Sequence, residues 1–242
     1  WANISELEAS DGSLSLTVGG DLTATLAKAF SDVTLRVGGF GVLGELSSGG
    51  DLSIETGGLL DVSDLSGQTG VVTSGGTTKL TGSLEDLTLV SVGDAEVTES
   101  DDLLVKSAEV TEGSLDMIVG GNLSIDSARI AEDATLLVAD SANISELEAS
   151  EGFLSLTVGG DLTASLAKAS LDATLKVGGF GVFSELFSGR DLVVETGGFL
   201  EVLDLSGQSG VVTSGGTTKL TGSLEDLTLV SLGDAQVTES DD

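Results

Sequence analysis

A chain of 242 residues with 40 Asp and Glu against 9 Lys and Arg carries a formal net charge of −31. That balance excludes nucleic acid and anionic lipid as partners, since both are recognised through clustered Lys and Arg, and no apolar run approaches the length of a membrane span. The absence of Cys excludes disulfides and thiolate metal sites, and 40 % hydrophobic residues without a single Pro exclude intrinsic disorder.

Strands are the expected elements throughout. Near the N-terminus Leu14, Leu16 and Val18 alternate with polar residues, the period of a half-buried strand. The same alternation recurs at Leu35 and Val37, Leu52 and Ile54, Leu115 to Val119, and Leu136 and Val138. It resumes beyond each corner at Leu22, Leu60, Val62, Leu123, Ile125 and Ile144. Glycine pairs at 19/20, 38/39, 57/58, 75/76 and 120/121 mark the corners, where a positive φ is expected. Residues 21–30, DLTATLAKAF, also suit a helical face through Leu22, Leu26 and Ala29, but their place in the repeat favours strand and return.

The alternating phrase repeats. Anchored on Val18, it returns at Val37, Thr56, Ser74, Val92, Val119, Val138, Val158, Val177, Thr196, Ser214 and Leu232, in steps of 19, 19, 18, 18, 27, 19, 20, 19, 19, 18 and 18 residues. Such a period is the mark of stacked coils. The fold expected is all-β, a parallel β-helix (β-solenoid) with coils of about 18–20 residues at ~4.8 Å rise, some twelve coils making a rod of ~60 Å. The 27-residue step, covering 93–113, implies an inserted loop or two short coils. Leu87 and Leu89 alternate toward Ser91 and not toward Val92, which implies a bulge or shifted corner there.

A longer repeat encloses the short one: residues 2–102 return as 142–242, with 82 of 101 positions identical. Residues 1–242 are therefore expected to form one continuous body. Trp1 stands where the second copy has Ser141, so the chain starts and stops in mid-repeat and reads as a piece of something longer. Ser13/Phe153 and Ser47/Phe187 replace a small residue by an aromatic one, which a packed interior would resist. Both side chains are expected outside, where Phe153, Phe183, Phe187 and Phe199 either scatter or form an apolar patch on the second copy.

The phrases LSLTVGGDLTA (14–24), TLRVGGFGV (34–42), LDMIVGGNLSI (115–125) and VGGDLTASLA (158–167) resemble the repeats of filamentous haemagglutinin-type adhesins, very long secreted bacterial surface proteins. The resemblance covers nearly the whole chain apart from 93–113 and implies a right-handed β-helix. It also implies an extracellular or cell-surface location.

Little in the sequence suggests catalysis. Lys28, Lys79, Lys168 and Lys219 recur at the 140-residue shift, as architectural residues do, whereas an active site is a single constellation. No catalytic, cofactor-binding or metal-ligating residue is assigned. Asp32, Asp51, Asp86, Asp133, Asp172 and Asp191 open strands at similar points of successive coils, and the ESDD turns at 99–102 and 239–242 concentrate carboxylates. Stacked like charges repel; they are either a solvated acidic face or sites for calcium, the one cofactor considered. GGTTK at 75–79 and 215–219 reads as turn filler and not as an ice-binding threonine ladder, and Asn3, Asn122 and Asn143 open N-x-S glycosylation patterns. The function expected is a non-enzymatic structural segment of a giant surface protein, a stalk, fibre or surface-layer element that self-associates end to end or laterally. A glycan- or receptor-binding adhesion module is the alternative, and a polysaccharide lyase or hydrolase a third.

Overall fold

The computed structural model describes residues 1–239, and over that range the chain is all β, without a helix. Its 23 strands join one sheet of parallel pairings, wound into a solenoid of about 13 turns. Each turn has two runs of strand and two corners. In the first turn Ala2–Ala9 runs along one side and Leu14–Val18 returns along the other; Leu22 then begins the next turn in register with Ala2. The first side continues through Gly41, Leu60, Thr78, Ala95, Leu115, Ala134 and Leu154 up to Leu227. The second runs from Leu14 through Val33, Leu52, Gly70, Leu87, Val105, Ile125 and Ile144 up to Val237. Between the sides lies one aliphatic interior, in which Leu35 and Ile54 are buried above Leu16. Each such side chain contributes about 1.5–3 kcal/mol by leaving water.

The two sides differ in outline. Leu14–Val18, Val33–Val37 and Leu52–Thr56 are straight, with every second residue facing in. Leu22–Ala29 is bent: Leu22 and Ala24 face in, Thr25 and Leu26 both leave the interior, and Ala27 and Ala29 face in again. Two successive outward residues break the period of two, so the chain rounds a ridge there. The cross-section is a triangle, with a straight base and two short arms meeting at the ridge.

At the sixth turn base and ridge change places. Ala95–Glu99 is straight yet stacks on the bent side, over Thr78 to Gly82, while Leu103–Val110 is bent yet stacks on the straight Leu87 to Ser91, with a register shift between Val105 and Ser107. From there on the first side is straight and the second bent. Ala142–Ala149, the copy of Ala2–Ala9, consequently lies above Leu123 to Ile130 in the column that began at Leu14. The 140-residue repeat is seven and a half turns, and equivalent residues of the two copies sit on opposite sides of the rod.

This arrangement corrects the expectation for 93–113. The segment is neither an inserted loop nor two short coils but one ordinary turn, made of Ala95–Glu99 and Leu103–Val110. Val110 is the residue that stacks on Ser91, whereas Val119 belongs to the opposite side, on Glu99, so the 27-residue step spans one turn and a half. Ser91, not Val92, occupies the anchor column above Ser74, as the alternation of Leu87 and Leu89 implies.

The glycine pairs also have a different cause from the one expected. None of the corner pairs has a positive φ. A Cβ on Gly38 would instead lie 2.5 Å from the Gly19 carbonyl oxygen, and one on Gly75 2.5 Å from that of Gly57. The corners lie so close that the ladder continues through them, with the Gly38 N–H donating to the Val18 carbonyl at 2.8 Å and the Gly75 N–H to that of Thr56 at 2.9 Å. Stability is collective, because each turn is covered by its neighbours. In the first turn Ile4, Leu7 and Leu16 are only half-buried, and in the last described turn Val237 is exposed.

Candidate functional site

The aspartates expected to form a cation-binding or solvated face stand at both corners and act between turns. Asp32 accepts the Asp51 N–H at 3.1 Å at one corner; Asp133 accepts the Phe153 N–H at 3.0 Å and Asp172 the Asp191 N–H at 3.2 Å at the other. Asp21, Asp94, Asp102 and Asp161 repeat the device with Phe40, Ser114, Asn122 and Phe180, and Asn122 and Ser141 continue it. Each side chain accepts the amide at its own position one turn later, so a short acceptor just before a strand joins consecutive turns. Asp86 instead pairs with Lys106 at 2.6 Å, and Asp191 accepts the Ser209 hydroxyl. Among the described residues no three carboxylates converge as a metal site would require. Of the ESDD turns, Asp101 accepts the Ser83 hydroxyl and Asp102 the Asn122 amide, whereas 240–242 lie outside the described residues.

The basic residues are distributed in the same way. Lys79 meets Glu96 at 2.9 Å, Lys168 meets Glu148 at 2.8 Å, Lys219 meets Glu201 at 3.7 Å, and Lys28 lies in register with Glu8. Arg36 with Glu55 and Arg129 with Glu146 likewise join neighbouring turns. Lys79 and Lys219 are copies of one another yet turn to different neighbours, because Gln236 stands where the first copy has Glu96. The hydrogen bond donated by Arg129 holds the Glu146 carboxyl below the usual range, and the one Lys79 donates to the Glu96 carboxylate raises Lys79. Exposed pairs of this kind contribute little each.

Among the described residues one carboxylate is inside. Glu99 is 4 % exposed and ends the first straight run on the switched side, between Gly82 below and Val119 above. Its Oε2 accepts the Leu84 N–H at 2.8 Å and its Oε1 the Ser100 N–H at 2.9 Å. Burial pushes the Glu99 carboxyl up; the amides of Leu84, Asp101 and Ser100 partly offset it, and the neighbouring Asp101 adds to it. Leu84 belongs to the last bent run on this side before the switch, so Glu99 satisfies the backbone left over where bent and straight runs meet. The alternation Ala95, Val97, Glu99 already points it inward.

The four phenylalanines do not form a patch. Phe183, expected outside, is completely buried; the small Ala164 beneath it and Gly181 beside it leave room for the ring. Phe153 and Phe199 precede strands at opposite corners, Phe187 lies under Lys168 at 5.9 Å, and Phe199 is 6.0 Å from the Lys219 ammonium. In GGTTK the glycines make the corner, but Thr78 is buried, sharing a hydrogen bond with Ser91 at 2.9 Å; Thr218 and Ser231 repeat it at 3.0 Å. Asn3, Asn122 and Asn143 are exposed. No protein-family model matches the chain, and neither a curated protein nor a solved structure is significantly similar to it.

Proposed function

We propose that this chain is a non-enzymatic structural segment of a giant extracellular or cell-surface protein, a stalk, fibre or surface-layer element built like the filamentous haemagglutinin-type adhesins it resembles. The observation that carries the reading is the unbroken parallel ladder from Ala2 to Leu227 on one side and from Leu14 to Val237 on the other, which crosses the switch of base and ridge without losing a turn. Such a body gives reach and stiffness, since every turn is held to two neighbours along its length. The polar side chains support the same reading: corner carboxylates bond to backbone amides, cations pair between turns, and Glu99 is engaged by amides. The adhesion alternative loses the aromatic patch that would have been its site, since Phe183 is interior.

Small-angle X-ray scattering tests the proposal. At low concentration the single chain should have the profile of a rod ~60 Å long, from about 13 turns at ~4.8 Å. A compact particle, or release of unsaturated oligosaccharides from acidic polymers, would overturn it.

A further inference from the structure

We infer that the straight sides of the solenoid are lateral interfaces between copies of this chain, a deepening of the scaffold reading and dependent on it. On the straight side of turns 1–5 the only charged outward residues, Arg36 and Glu55, pair with each other at 3.5 Å. On the straight side of turns 6–13 charge is confined to Glu96, which is held by Lys79, to Lys176 in register with Glu195, and to Asp116. In a chain of −31, two nearly neutral sides stand out. The excess charge gathers at the corners and on the ridge, where Glu45 stacks on Asp64 and Glu185 on Asp204.

These sides also expose apolar residues. Ile118 and Leu137 are register neighbours at 48 % and 46 % exposure; Val211, at 47 %, lies above Val193, and Thr174, Ser155 and Thr135 continue the same rank. Straight rows of β-branched residues without a ridge are the surface on which a second sheet packs at ~10 Å. A five-residue strand repeated over eight turns offers about 600 Å² per copy, or about 1,200 Å² in a symmetric pair, the lower bound of specific interfaces. A second copy fits this charge, this surface and this area, because pairing the bases of turns 6–13 turns the ridge of the same turns, with Glu185 on Asp204, away from the partner.

The half-turn offset then fixes the assembly. The straight side of turns 1–5 faces one way and that of turns 6–13 the other, so each rod meets a neighbour on either flank. Pairs closed by the eight-turn interface leave the five-turn side, about 400 Å² per copy, as a weaker second contact; rods joined by both form a layer.

Sedimentation and small-angle scattering on the full chain at about 0.15 M and 0.5 M NaCl, over a range of concentrations, test this. The result expected is concentration-dependent association that strengthens with salt and thickens the cross-section. The double variant Ile118→Glu/Leu137→Glu weakens it at least tenfold, as does Val193→Glu/Val211→Glu if the first fails to keep its circular dichroism spectrum, while the ridge variant Glu185→Gln associates as before or more strongly. A rod that stays monomeric at all salts, grows only in length, or associates equally in the folded base variants overturns the inference and leaves the scaffold reading standing. A compact monomer sinks the scaffold reading itself.

Discussion

Glu99 offers the sharpest single-residue test of the side switch. Glu99→Ala removes the acceptor for the Leu84 N–H, 2.8 Å away and out of reach of water, while the Ser100 N–H keeps the Gly82 carbonyl, 3.1 Å away. An unsatisfied buried donor costs about 1–3 kcal/mol, and that is the destabilisation expected in urea denaturation. The pH dependence has a definite sign. Because burial raises the folded value above the unfolded one, the native state binds this proton more tightly. Stability from Glu99 is therefore complete below its unfolded value and is lost as pH rises through the raised folded value. The whole acidic chain also gains from acid, so the informative quantity is the stability of the wild type minus that of Glu99→Gln, which cannot titrate. That difference should grow as pH falls from about 8 to about 4. A flat difference, or a loss below ~0.5 kcal/mol in Glu99→Ala, would refute the role of Glu99 at the switch.

Gly75→Ala, which drives a Cβ onto the Gly57 carbonyl, should cost about 1–3 kcal/mol in the same denaturation assay, whereas Gly19→Ala, with nothing within 4 Å, should cost almost nothing. Phe183→Ala should lose about 3–5 kcal/mol from the interior, while Phe153→Ser, the first-copy residue, should change stability by less than ~0.5 kcal/mol. Raising NaCl from about 10 to 150 mM should raise the melting temperature by screening a net charge of −31. Calcium at matched ionic strength should add nothing further, because corner carboxylates such as Asp32 and Asp133 already bond to amides.

Period-two alternation and the spacing of the small-residue corners sufficed to read strands, stacking and the shared interior from the sequence. Even the shifted anchor at Ser91 follows from Leu87 and Leu89. The side switch was hidden because a turn contains two corners of similar chemistry, and alternation looks the same on either side of the core. Val92 and Val119 could be aligned across it without conflict, and the surplus residues then looked like a loop. Glycines at the corners fit positive φ and close approach equally well in sequence, and only the stacked carbonyls decide for the second. Phe183 and Glu99 were both legible as inward by alternation. What alternation does not show is the room that Ala164 and Gly181 leave for the ring, or the amides of Leu84 and Ser100 that meet the carboxylate.

Whether the repeat turns by half a coil, so that Ala95–Glu99 carries the first side onward, can be measured by cross-linking, for which the absence of native cysteine is convenient. Ile118 lies in register with Thr98, whereas an uninterrupted side would set it over Val90. Adjacent strands at ~4.8 Å are within reach of a disulfide. Under mild oxidation Thr98→Cys/Ile118→Cys should close a bridge and Val90→Cys/Ile118→Cys should remain reduced; the reverse pattern would contradict the account.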